Sequence, residues 1–198
     1  MAKYSKVNED NVEFSWSAVP ELPFRVTCTI YIENWTKELL DRPIVSIAQG
    51  KVEIPPTRIL PGQRGIMVAR KNPYTATGTY GTVSWLLERE QRRVVVMWVA
   101  PFNFDFYDNW LAVGMTRKGI TDHADNDRWY KQMYYEETDE RLQFRKMKYD
   151  NVIRDVTYAD DGIQIEGNMS TTHHAQAKIT IRPLSISDYA DNIKQMFS

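Results

Sequence analysis

The sequence holds a single cysteine, Cys28, so an internal disulfide framework is excluded. Cys28 lies in an alternating apolar run and reads as a small core residue rather than a reactive thiol. No stretch approaches the roughly 20 apolar residues that a transmembrane helix needs. The longest, Val94 to Pro101, suits a buried strand. The opening residues, MAKYSKVNED, contain nothing like the apolar core of a signal peptide. The chain therefore reads as a soluble form, either cytoplasmic or secreted or released before it reaches a target membrane. An excess of one charge is also missing. Lys and Arg number 25 against 26 Asp and Glu, a net charge of -1, which offers no general attraction to nucleic acid.

The signatures of catalysis are missing too. Gly78-Thr79-Tyr80-Gly81 lacks the lysine and the wider spacing of a phosphate-binding loop. There are three histidines, His123, His173 and His174. Neighbours on a strand point to opposite faces, so His173 and His174 are poorly placed to chelate one metal. No serine sits in a nucleophile-elbow motif, and Cys28 has no evident histidine partner. The sequence is read as non-enzymatic, with no cofactor and no metal.

What is present is a series of short alternating segments. Val26, Cys28, Ile30 and Ile32 alternate with Thr27, Thr29 and Tyr31, as in a half-buried strand. Further strands are expected over 44–48, 65–70, 77–88, 92–100, 110–117, 152–158, 163–166 and 175–182. Breaks fall at Pro55-Pro56, Pro61-Gly62, Asn72-Pro73, Asp161-Gly162 and Gly167-Asn168. About ten short strands at this spacing imply an all-β sandwich.

Two short α-helices flank the strands. One follows Asp122 and Asp125, which can cap it, and carries Trp129 with Met133 and Tyr130 with Tyr134 on shared faces. The other closes the chain, with Ile186, Tyr189, Ile193 and Phe197 at helical spacing. At about 12 residues it is too short to cross a bilayer. The division is thus an N-terminal arm (1–23), a sandwich (24–184) and a C-terminal helix (185–198). Two glycosylation triplets, Asn34-Trp35-Thr36 and Asn168-Met169-Ser170, are read as incidental.

Aromatic residues make up 12% of the chain and are unevenly spread. Nine of the 35 residues from Pro101 to Tyr135 are aromatic, about twice the chain average. Pro101 to Trp110 is loop-like in its Asn, Asp and Pro content, yet it contains Phe102, Phe104, Phe106, Tyr107 and Trp110. Phe102 and Phe104 are divided evenly between core and surface readings. Ring surface on a loop calls for a partner that covers it. Tyr and Trp suit a membrane interface, where the ring enters the acyl boundary and the polar tip stays among headgroups. Tyrosine faces also attract a quaternary ammonium, and their hydroxyls can donate to a phosphate. Together these describe a phosphocholine site.

At these residues the sequence resembles the actinoporin-like pore-forming cytolysins, a family that shares its fold with the fungal fruit-body lectins. Thr75 to Trp85 resembles the family's A-T-G-x-x-G strand start. Val94 to Trp110 resembles its strand, proline and Y-x-N-W loop. Asp127 to Tyr135 resembles its tyrosine-rich helix. Weaker similarity runs from Arg25 to Arg182. The resemblance implies a sandwich with two helices that binds choline headgroups of sphingomyelin-containing membranes, oligomerises there and permeabilises them. It places Pro101, Tyr107, Tyr130, Tyr134 and Tyr135 at the headgroup, with Tyr80 and Val99 at two further headgroup positions. It places Phe106 and Trp110 at the membrane interface. Tyr80 stands where the family has a small aliphatic residue, and Val99 where it has a serine. The family's R-G-D triplet is replaced by Arg145-Lys146-Met147; with Lys148 this basic run reads as a solvated face or a phosphate contact.

The resemblance implies an amphipathic N-terminal helix that lines the pore. Residues 1–23 show instead a period-two pattern at Val12, Phe14 and Trp16, interrupted by Pro20 and Pro23. Docking is therefore better supported than perforation. The alternative is a glycan-binding, lectin-like module of the same fold without pore activity, since aromatic faces also stack on sugars. A third reading is an intracellular partner-binding protein.

Overall fold

The computed structural model describes residues 22–160 and 162–197. The N-terminal arm (1–23) lies almost wholly outside the described residues. Among the described residues are strands β1 (Thr27–Asn34), β2 (Leu40–Gln49), β3 (Lys51–Ile54), β4 (Arg64–Arg70), β5 (Thr79–Leu87) and β6 (Arg92–Ala100). Then follow β7 (Asn109–Thr116), helix α1 (Arg128–Tyr135), β8 (Leu142–Tyr149), β9 (Val156–Ala159), β10 (Ile163–Met169), β11 (His174–Pro183) and helix α2 (Asp191–Lys194). One sheet has the order β3-β4-β1-β11-β10-β9 and the other β2-β5-β6-β7-β8. The expected all-β sandwich with two short helices is the observed architecture.

Period-two alternation builds the core between the sheets. Cys28, Ile30 and Ile32 from β1 meet Val83, Trp85 and Leu87 from β5, Val94, Val96 and Trp98 from β6, and Leu111, Val113 and Met115 from β7. Each such side chain stabilises the fold by about 1.5–3 kcal/mol on burial. Cys28 is wholly buried, and burial pushes its thiol pKa up. It stays protonated and acts as packing.

Strand β6 explains the longest apolar run. Its alternate residues Val95, Met97 and Val99 face away from the core, yet they are buried too, in a second cluster with Ala112, Trp129, Tyr130, Met133, Leu142 and Phe144. Helix α1 covers that outer face. A strand covered on both sides reads as continuous apolar sequence rather than an alternation.

Several expectations change in detail: the strand expected over 152–158 starts only at Val156, and the break expected at Gly167-Asn168 falls inside β10. Strand β3 is four residues squeezed between Gly50 and Pro55. Gly50 has φ +99° where the chain passes from one sheet to the other, and a Cβ there would lie 2.4 Å from the Arg70 carbonyl oxygen. Strand β8 also escaped the pattern. Its outward Leu142 and Phe144 pack under α1, while its inward Met147 and Tyr149 face the core, so no single period holds. Helix α1 begins at Arg128 rather than after Asp125, with Asp127 at the N-cap and no side-chain cap bond. Asn126, at φ +52°, turns the chain just before it.

The last change is at the C-terminus. The expected 12-residue helix is a 3-10 turn (Ile186–Asp188) followed by the four-residue α2. Tyr189 and Ala190 between them are extended. There the Lys37 N–H donates to the Asp188 carbonyl at 2.8 Å and the Ala190 N–H to the Trp35 carbonyl at 2.9 Å. Pairing with the β1–β2 connection outweighs helix propensity. Trp35 then meets Tyr189 and Phe197, with centroids 6.4 and 6.1 Å away.

Candidate functional site

Strand register assembles the site. Tyr80 on β5 lies opposite Val99 on β6, Val99 opposite Trp110 on β7, and Trp110 opposite Lys148 on β8. Directly paired residues share a face, so these four form one row across the outer surface of the five-stranded sheet. The next row, Gly81, Trp98, Leu111 and Met147, faces the core. Pro101 follows β6 two residues beyond Val99 and is buried. Gly78 allows the β4–β5 loop to close on it, since a Cβ there would sit 2.1 Å from the Ala100 carbonyl oxygen.

Helix α1 crosses this row and adds its tyrosines. Tyr80 and Tyr130 stack at 5.0 Å, and Tyr130 and Tyr134 stack at 5.7 Å. Tyr135 meets Tyr134 edge-on at 4.7 Å and Tyr130 at 6.4 Å. Trp110 meets Tyr134 edge-on at 5.6 Å. Six residues expected at the site from three separate segments are thereby brought together: Tyr80, Val99, Trp110, Tyr130, Tyr134 and Tyr135.

Burial divides them. Tyr130 is 6% exposed and Val99 5%, so they form the floor. Tyr80, Tyr134 and Trp110 are half-buried. Tyr135 and Tyr107 stand 71% and 60% exposed as walls, and Phe106 projects furthest at 78%. Phe102 and Phe104 also differ from each other. Phe102 packs against the core under the Arg25 guanidinium, whereas Phe104 lies against the His173 ring at 4.3 Å. The His173 Nε2 is 2.9 Å from the Phe102 carbonyl oxygen, which ties the loop to the start of β11.

The phenols favour the protonated state. Burial raises the Tyr130 pKa first, and the neighbouring Tyr135, Tyr80 and Tyr134 raise it further. Tyr80 and Tyr134 are raised chiefly by burial as well, with Tyr135 and Tyr107 contributing to both. The cluster can therefore present neutral ring faces to a cation and hydroxyl donors to an anion.

The basic run is separated by strand alternation. Lys146 closes the C-terminus of α1, its Nζ donating to the Glu136 carbonyl at 2.7 Å and the Tyr134 carbonyl at 3.3 Å. Lys148 pairs with Asp108 at 3.1 Å and Asp150 at 3.5 Å, and Asp108 is the first cause of its raised pKa. Arg145 points the other way, into an open recess with Arg92, Arg117 and Tyr158. Sequence reasoning missed the role of Lys146, because its acceptors lie on another element.

His123 was also unassigned. Arg93 Nε donates to Ser84 Oγ at 2.7 Å, and Ser84 Oγ lies 2.7 Å from His123 Nδ1. With Ser84 donating, Nδ1 is the acceptor and Nε2–H is left to donate to Ser46 Oγ at 2.9 Å. The ring packs edge-on against Trp129 at 4.6 Å. This network fastens the beginning of α1 to strands β2 and β5.

The sea anemone cytotoxic protein family matches residues 51–183, a span that contains all three motifs and the whole aromatic cluster. The chain belongs to this family. Among relatives, it is 43% identical to Tereporin-Ca1 of Terebra anilis over 163 residues, 81% of this chain and 86% of that protein. It is 38% identical to Echotoxin-2 of Monoplex parthenopeus over 178 residues, 89% of this chain. It is 41% identical to Conoporin-Cn1 of Conus consors over 162 residues, 82% of this chain. The chain spans 64% of the length of each of these last two proteins. The structure of the lipid binding protein Nakanori shares the fold, with a TM-score of 0.59 at 15% identity, covering 79% of this chain and 70% of that one. The resemblance to actinoporin-like cytolysins, a non-enzymatic family, holds. No helix among the described residues is long and apolar enough to cross a membrane.

Proposed function

We propose that this family member docks on choline-lipid membranes, with a preference for sphingomyelin, and then oligomerises and permeabilises them. Tyr107, Tyr134 and Tyr135 hold the quaternary ammonium by cation–π attraction over a floor of Tyr130, Tyr80, Val99 and Pro101. Phe106 and Trp110 enter the interfacial zone. The observation that carries this reading is the aromatic cluster itself, in which packed tyrosines from β5 and α1 adjoin exposed rings on the β6–β7 loop. Fixed rings bind a cation without first losing rotamer entropy. Val99 has no hydroxyl, so the phosphate donors of this site are tyrosine hydroxyls.

The test is co-sedimentation with phosphatidylcholine vesicles, with and without sphingomyelin, followed by dye release. Binding that rises with sphingomyelin, together with dye release, is the expected result. Binding without release reduces the function to docking. No binding to any choline lipid, with binding on a glycan array, overturns the reading in favour of a lectin-like module.

A further inference from the structure

We infer that the docking surface extends beyond the aromatic loop to two flanking loops, with Tyr74 on one side and Val152–Ile153 on the other as additional membrane anchors. This rests on the membrane-docking reading above.

Topology places these residues at one end of the sandwich. The β4–β5 loop, 71–78, abuts Pro101 through Gly78, and Lys71 Nζ lies 5.7 Å from the Phe102 ring centroid. The β8–β9 loop, 150–155, leaves β8 at Tyr149, the partner of Asn109. Lys148 joins its first residue, Asp150, to Asp108. Its last residue, Asp155, accepts from Asn168 Nδ2 at 2.8 Å. Asn109 Nδ2 in turn donates to the Ser170 carbonyl at 2.7 Å. The loops before β5, before β7 and after β8 thus form a continuous rim.

The side chains on that rim face water in a way that internal packing does not explain. Tyr74 is fully exposed, and it is held at φ +56°, a left-handed conformation unfavourable for a bulky residue. The loop beneath it is ordered. Thr75 Oγ1 and Lys71 Nζ both donate to the Asn72 carbonyl at 2.9 Å, and Gln49 Nε2 donates to Thr77 Oγ1 at 3.0 Å. Val152 and Ile153 are each more than half exposed and adjacent, followed by exposed Arg154. With Phe106, Tyr107 and Tyr135, six large hydrophobic residues project from this end. Aliphatic tips beside the exposed Arg154 match a layered partner, apolar within and anionic in its phosphate plane. A bilayer interface has that chemistry.

The experiment uses single-cysteine labelling with an environment-sensitive nitrobenzoxadiazole dye. Cys28 is wholly buried and remains unlabelled in the folded chain. Labels are introduced by Tyr74→Cys, Val152→Cys and Phe106→Cys, and mixed with vesicles of equal parts sphingomyelin and phosphatidylcholine. Blue-shifted, brighter emission at all three positions is expected. A response at Phe106 with silence at either Tyr74 or Val152 overturns the three-loop surface and leaves the membrane reading standing. Silence at all three positions overturns the membrane reading and this inference with it, and silence at Phe106 alone overturns the shared three-loop surface. As a second measure, Tyr74→Ser and the double change Val152→Ser with Ile153→Ser should each weaken vesicle partition about tenfold without changing the far-ultraviolet circular dichroism. Unchanged partition in either variant also overturns the inference.

Discussion

Tyr80 and Tyr130 stack with ring centroids 5.0 Å apart and planes 24° from parallel, joining strand β5 to helix α1. The Tyr80 ring occupies the outer face of the sheet beside Val99 and stiffens the floor of the cluster. Aromatic pairs contribute about 0.5–1.5 kcal/mol beyond area burial. Tyr80→Val is therefore expected to lower the unfolding free energy by about 1–2 kcal/mol, read as a lower urea midpoint at unchanged slope. A midpoint equal to that of the parent chain would show the stack to be idle.

The exposed walls should behave differently from the floor. Tyr135 and Tyr107 are largely in water, so truncation costs little stability, within about 0.5 kcal/mol. Tyr135→Ala should weaken vesicle binding about tenfold, the size of one cation–π contact of about 1–2 kcal/mol. Tyr135→Phe keeps the ring and should lose less. Titrating both variants against sphingomyelin vesicles separates ring from hydroxyl, and equal losses would argue against a cation–π role.

His123 should make stability depend on pH. Burial first, and then the nearby Arg93 charge, lower its pKa from the ordinary 6.5 to about 4. Its folded form takes up a proton less readily than its unfolded form. The contribution is fully present above pH about 6.5 and is lost as pH falls towards 4, amounting to on the order of 2–3 kcal/mol. His123→Gln removes this titration. The gap between parent and variant unfolding curves should narrow over that window, and a constant gap would contradict the neutral Nε2–H arrangement.

Lys146 should stabilise α1 from outside it. Its two bonds to the Tyr134 and Glu136 carbonyls are charge-assisted and meet the negative end of the helix dipole. Lys146→Met should cost about 1–2 kcal/mol and speed amide exchange in the last turn of α1. Unaltered exchange there would place the lysine's value elsewhere.

Asn34 gives the largest expected effect. It is wholly buried; its Nδ2 faces the Glu38, Ile59 and Leu60 carbonyls, and its Oδ1 accepts from Thr36 N and Oγ1. Asn34→Ala strands several buried polar groups and should destabilise by about 2–4 kcal/mol. A thermal midpoint that barely moves would refute this. The same bonds explain why the Asn34-Trp35-Thr36 triplet is a structural corner rather than an exposed acceptor.

Much was legible in the sequence, because it is encoded locally. Alternation in β1, β5 and β7, the continuous apolar run of β6, turn residues between the strands, and the ordered A-T-G-x-x-G, Y-x-N-W and tyrosine-helix motifs determined the sandwich and the family. The resemblance carried by those motifs also placed the residues of the candidate site, position by position. What only the tertiary structure decided depends on residues distant in the chain. Register across β5, β6, β7 and β8 put Tyr80, Val99, Trp110 and Lys148 in one row. The packing of α1 on that row buried Tyr130 and left Tyr135 in water, although Tyr130, Tyr134 and Tyr135 read alike in the motif. Contact with Trp35 and Lys37 broke the C-terminal helix that its spacing favoured. Burial and hydrogen bonding to another element set each of these outcomes, and neither is visible in a local pattern.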